Sequence, residues 1–124
     1  MWVARLSLKH NGDIFTERTE KHKVNFYAYP LTHYEKKGRY YFVVMGILDG
    51  DEKNKKFFIK ELKKDNRIKE LDAKNDVLTI LINYSQAEIR KTDMNTYYDP
   101  SLIHIEPLLN STDGKEYWTV GSYE

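Results

Sequence analysis

Apolar positions recur every second residue over much of this chain and at helical spacing in one clear stretch. From 1 to 10, Trp2, Ala4, Leu6 and Leu8 alternate with Val3, Arg5, Ser7 and Lys9. That period predicts a strand with one face on a core. The pattern starts at residue 1, so little is expected to precede the domain. Residues 11–23 read as a polar loop after an Asn11-Gly12-Asp13 turn, pinned to the body by Ile14 and Phe15. Alternation resumes over 24–34, with Val24, Phe26 and Ala28 on one face and Tyr27, Tyr29 and Leu31 on the other. Pro30 lacks an amide hydrogen, which predicts an edge or a bend there. Glu35-Lys36-Lys37-Gly38 predicts a hairpin turn. Residues 39–48 then form a strong strand, with Tyr41, Val43, Met45 and Ile47 on one side. Tyr40, Phe42 and Val44 line the other, a pattern that suits cover on both sides.

The helical period is confined to the residues after Asp49. Phe58, Ile59 and Leu62 share one face, and Phe57 widens it. Lys53, Lys56, Lys60, Lys63 and Lys64 take much of the remainder. Asp49-Gly50-Asp51 supplies a turn and an N-cap, since an Asp oxygen accepts from free amides of the first turn. Asp65-Asn66 ends the helix. Ile68–Ala73 and the nearly continuous apolar run Val77–Ile82 follow as strands around a Lys74-Asn75-Asp76 turn. Such a run suits a central strand covered on at least one side. Residues 85–100 show no clear period. Ser101–Leu109, bent at Pro107, and Glu116–Gly121 make a closing hairpin around Asn110-Ser111-Thr112-Asp113-Gly114. In that hairpin Trp118 and Val120 share one face, and Tyr117 and Thr119 the other. The architecture expected is α+β: one domain over 1–124, an antiparallel sheet with one main helix packed on one face, related to ferredoxin-like folds.

Composition narrows the class. Apolar residues are 40% and charged residues 31% of 124, which is enough for one core. A formal net charge of +1 excludes a polycation that binds nucleic acid by bulk charge. There is no cysteine, so no disulfide and no thiolate metal site. No apolar run approaches the roughly 20 residues of a spanning helix, and the first ten residues lack a signal peptide's apolar block. The expectation is a cytoplasmic protein without a membrane segment.

Candidate chemistry is sparse. His10, His22, His33 and His104 make no local ligand pair, although a sheet can bring His10 and His104 together. An enzyme built on that pair is a third-ranked reading. Asp49, Asp51 and Glu52 cluster, but as caps rather than a cation loop. No phosphate-binding, dinucleotide-binding or nucleophile-elbow motif is present. Accordingly no catalytic residue, metal or cofactor is expected. Aromatics are 14% of the chain. Tyr27, Tyr41, Tyr117 and Trp118, with His104, are the candidates for a ligand or interface surface. Lys56, Lys60, Lys63 and Arg67 recur at helical spacing and are the candidates for phosphate contact in an alternative nucleic-acid-binding module.

The phrases MWVARLSLKH, FFIKELKKDNRIKELDAKNDVLTILI and IEPLLNSTDGKEYWTVGSYE carry a resemblance. Within them Lys63-Lys64-Asp65 running into Ile68 and Leu71, and Gly114-Lys115-Glu116-Tyr117-Trp118, are the most telling. Together they resemble the N-terminal domain of archaeal transcriptional regulators of the bacterio-opsin-activator type, which carry a C-terminal helix-turn-helix. Residues 85–100 match poorly. The resemblance implies a non-enzymatic regulatory domain that senses an unidentified small ligand or dimerises. DNA would be read only through a helix-turn-helix that these 124 residues do not contain. The chain is then either a truncated piece or a stand-alone relative. Without the structure that follows in the family, Trp118 or Tyr117 faces solvent, which predicts a homodimer covering the closing hairpin.

Overall fold

The computed structural model describes residues 1–9, 12–92 and 94–124. Its centre is one 8-stranded antiparallel sheet. The strands are β1 (Trp2–Leu8), β2 (Asn25–Lys36), β3 (Arg39–Asp49), β4 (Ile68–Lys74), β5 (Val77–Tyr84), β6 (Ile103–His104), β7 (Leu108–Asn110) and β8 (Glu116–Ser122). They lie in the order β1-β8-β7-β2-β3-β5-β4, with β6 beside β8. The helices are α1 (Thr16–His22), α2 (Glu52–Lys63), α3 (Gln86–Ile89) and α4 (Met94–Tyr97).

The α+β class with an antiparallel sheet is as the alternation predicts. The long hairpin of β2 and β3 closes on Lys37 and Gly38, both at positive φ. That is the primed turn whose twist matches paired strands. Asn75 and Asp76 do the same between β4 and β5. Both prolines of the sheet sit at interruptions. The β2–β3 register shifts between Pro30 and Thr32, and Pro107 stands between β6 and β7. In each case the missing amide falls where the ladder breaks.

Several expectations are corrected. The polar stretch expected to be a loop contains α1. Its buried residues are Thr16 and Thr19 rather than an apolar stripe, which is why a search for apolar periodicity passes over it. Ile14 and Phe15 are buried and do pin this segment. In α2, Phe58 and Leu62 are fully buried and Ile59 packs beside them. Phe57 does not widen that face: it is 48% exposed, stacked on His22. Asp51 occupies the N-cap, but its side chain makes no capping bond.

Among the described residues, the buried positions of the central strands lie on one side of the sheet. Phe26, Ala28, Phe42, Val44, Leu48, Leu78, Ile80, Ile82, Leu108, Trp118 and Val120 form the inner face and are buried. Gly46 sits among them on β3 because a Cβ there would stand 2.4 Å from the Phe26 ring. Among the described residues no helix buries the alternate positions at the end of β3: Met45 and Ile47 are exposed, as are Tyr29 on β2 and Val77 on β5.

Candidate functional site

α1 and α2 cover one end of the inner face. Phe15 and Phe58 meet Phe26 ring to ring at 5.1 and 6.1 Å. Lys55 of α2 ties the helix to the β4–β5 turn through Asp76, 2.9 Å away. Thr19 of α1 donates to the carbonyl of Ser111, in the β7–β8 turn, at 2.8 Å. The two helices are clamped side by side by Arg18, which reaches Glu61 and Asp65.

Among the described residues, the other end has only the short α3 and α4 above it, four residues each. α3 is started by a reciprocal cap: Glu88 N donates to Ser85 Oγ and Ser85 N donates to Glu88 Oε1. One turn of helix cannot fill the width of the sheet beneath it. A cavity of about 460 Å³ remains, within the range of small-molecule sites. Its floor is the inner face itself: Ala28 and Pro30, Phe42 and Val44, Ile82 and Tyr84, and Leu108. Phe15 and Tyr97 wall it. Asp13, Arg67, Glu88, Lys91 and Thr92 supply polar groups, and Glu116 of β8 adds a mostly buried carboxylate.

The electrostatics separate fixed groups from adaptable ones. Arg67 grips Asp65 with a two-pronged fork, Nε at 3.0 Å and Nη2 at 2.7 Å, and its Nη1 donates to the Gly12 carbonyl at 2.8 Å. Burial works against the Asp65 charge, but the bonds from Arg67 and Arg18 hold its carboxyl well below the usual range. Bonding to Ser85 keeps Glu88 ionised below its ordinary value. Burial raises Tyr84 and Tyr97 far above an ordinary phenol, so both hydroxyls keep their protons and remain available as donors. Trp118 Nε1 donates to Glu116.

The sequence-picked residues divide between two faces. Trp118 is 2% exposed and packs edge-on against Tyr97, behind the cavity wall. His104 lies half-buried against the same Tyr97, rings 3.8 Å apart, with Nε2 at 2.6 Å from the Tyr97 carbonyl. Tyr27, Tyr41 and Tyr117 lie half-buried on the opposite, outer face. Arg5 stands over the Tyr117 ring and Lys69 over that of Tyr41. Trp118 therefore does not face solvent, whereas Tyr117 lies half-buried on the outer face. His10 lies outside the described residues. Among the described residues no group of three metal-ligating side chains stands together. Lys56, Lys60 and Lys63 are exposed on α2, but Arg67 lies beyond its end and is committed to Asp65.

Sequence reasoning missed the cavity because its floor comes from separate strands. One local signal was present: Ser85-Gln86-Ala87-Glu88 is a capping-box pattern that marks α3. Among the described residues no helix is long and apolar enough to cross a membrane. No family model, curated protein or solved structure matches this chain.

Proposed function

We propose that the chain is a non-enzymatic sensing domain that binds an apolar small molecule in the cavity beneath α3 and α4. The observation that carries this is the 460 Å³ space itself, apolar on its floor and polar along one side. The tyrosine hydroxyls and Glu116 would orient the ligand, and the short helices would report its presence. The resemblance to archaeal bacterio-opsin-activator-type regulators supports a regulatory, cytoplasmic setting. In that reading DNA contact belongs to a helix-turn-helix outside these residues. The element order through β4 is that of a ferredoxin-like unit. We take the relation to stop at that order, because β1 pairs with β8 rather than with β3.

Titration with naphthalene and with 1-anilinonaphthalene-8-sulfonate, read by fluorescence, tests the cavity. Binding that disappears in Ala28→Phe and Val44→Phe, with circular dichroism unchanged, is the expected result. Absent binding, or binding indifferent to both fillings, removes the sensing proposal. The regulator setting is tested separately: a natural reading frame continuing past Glu124 into a helix-turn-helix supports it, and a stop codon with no regulator gene alongside counts against it.

The exposure of Lys56, Lys60 and Lys63 along α2 favours a second reading, a nucleic-acid contact. Oligonucleotide binding that weakens steeply with salt and is abolished by changing all three to Glu would establish it. No binding at low salt eliminates it.

A further inference from the structure

We infer that the cavity beneath α3 and α4 takes a flat aromatic molecule with neutral oxygen acceptors, held by the hydroxyls of Tyr84 and Tyr97. The inference rests on the sensing reading of that cavity. It adds the class of ligand and the two residues that select it.

Both tyrosines line the cavity and are themselves nearly buried, at 8% and 9% exposed. Neither hydroxyl makes a hydrogen bond to any of the described residues, yet neither oxygen is sealed from solvent as that of Tyr98 is. The space that both residues line is where these hydroxyls open. A buried phenol normally finds a partner. Two that lack one, facing the same space, require it of whatever enters. The cationic and acidic groups beside them are already engaged, Arg67 with Asp65 and Glu88 with Ser85.

The two hydroxyls stand at different ends. The charges of Asp13, Arg67 and Glu88 act on that of Tyr84, and all three line the polar side of the cavity. Tyr97 packs against Trp118 of β8, and its hydroxyl feels Glu116 instead. In the sheet β8 and β5 are separated by β7, β2 and β3. Burial keeps both phenols protonated. Both therefore donate, and a ligand that satisfies them carries an acceptor toward each end.

The lining sets the rest of the ligand. An anionic oxygen beside Tyr97 would face the Glu116 carboxylate, so a neutral carbonyl or ether oxygen fits there. Ala28, Val44 and Ile82 make the bed of the cavity, on a sheet face, and Phe15, Phe42 and Tyr97 set rings around it. Rings of this kind pack offset or edge to face on another ring. A pure hydrocarbon would fill the same bed but leave both hydroxyls without a partner, which costs affinity.

Calorimetric titration of the full chain with naphthalene and with chromone tests this. Chromone keeps the two-ring frame and carries a carbonyl and an ether oxygen at opposite positions of one ring. Transfer out of water alone would make it the weaker ligand, because its oxygens lose their hydration. The expected result is that chromone binds at least as tightly as naphthalene. Tyr84→Phe and Tyr97→Phe should each weaken chromone about tenfold and move naphthalene by less than about twofold. Neither substitution removes a hydrogen bond within the chain, so circular dichroism should stay that of the wild type. If naphthalene binds but chromone is weaker, or is indifferent to both substitutions, this inference is overturned and the cavity reading stands. If neither compound binds, both are overturned.

Discussion

At one end of the inner sheet face, Phe26, Leu48 and Leu78 lie in the end covered by α1 and a twelve-residue helix, α2. At the other, Phe42, Ile82 and Tyr84 lie beneath two helices of four residues each. The strands are the same strands, β2, β3 and β5, and the side chains are equally apolar. What differs is the length of the cover. A helix of three turns presents a full apolar stripe and expels water from the sheet. A single capped turn presents one residue, Ile89 in α3, and leaves a cavity. The first arrangement stabilises the fold, and the second leaves room for a ligand.

That contrast is tested most sharply by truncation at the filled end. Phe58→Ala should cost about 3–5 kcal/mol in denaturant-measured stability, as for other buried aromatics. Phe42→Ala, at the end that already adjoins a cavity, should cost clearly less. Equal losses would mean that the two ends pack alike.

Next in size is the clamp that joins the ends. Asp65 holds both Arg18 and Arg67, and Arg67 reaches the cavity lining. Asp65→Ala should cost about 2–3 kcal/mol, less than the roughly 3–5 of a fully buried pair, because the two guanidiniums keep about a fifth of their surface in water. The folded carboxyl titrates below its unfolded value. Its stabilisation is therefore complete above the unfolded value of about 3.9 and is lost as pH falls from there through the folded value. Asp65→Asn should flatten the acid limb of stability against pH. An unchanged limb would show that other carboxylates govern it.

The smallest differences come from adding atoms. Gly46→Ala drives a methyl into the Phe26 ring and should cost about 1–3 kcal/mol through overpacking. Ala28→Val, on the cavity floor beside it, should change stability by less than about 1 kcal/mol, because there is room to receive it. A large loss from Ala28→Val would indicate that the cavity is closed in solution.

The legibility of the chain follows the same division. Strand β2 and helix α2 announce themselves because burial on one face imposes a period, as in Val24–Ala28 and Phe58–Leu62, and β3 and β5 because they are nearly continuous apolar runs. α1 does not, since Thr16 and Thr19 face the core and their hydroxyl chemistry resembles a loop's. The segment from Ser85 to Tyr98 is too short in each turn for any period to emerge. The cavity is invisible in the sequence for a different reason: Ala28, Phe42, Ile82 and Leu108 adjoin only after the sheet is assembled. The outer face was misjudged because alternation of apolar residues on both sides of β3 tells how each side would pack, not whether anything packs on it.

The pairing of β1 with β8 also bears on how the molecule comes into being. Trp2 and Glu124, joined through Trp2 Nε1 and the Glu124 carbonyl, are 122 positions apart. β2 through β5, by contrast, form a run of neighbours linked by short turns or by one helix. Closing the longer loop costs more chain entropy before any contact rewards it. During synthesis, β1 emerges well before β8 and waits unpaired until β8 follows, its apolar residues open to other chains meanwhile. We expect pulse-labelled hydrogen exchange during refolding to protect the amides of β3 and β5 before those of Ala4 and Leu6. Simultaneous protection would mean that the ends of the chain meet in the nucleus itself.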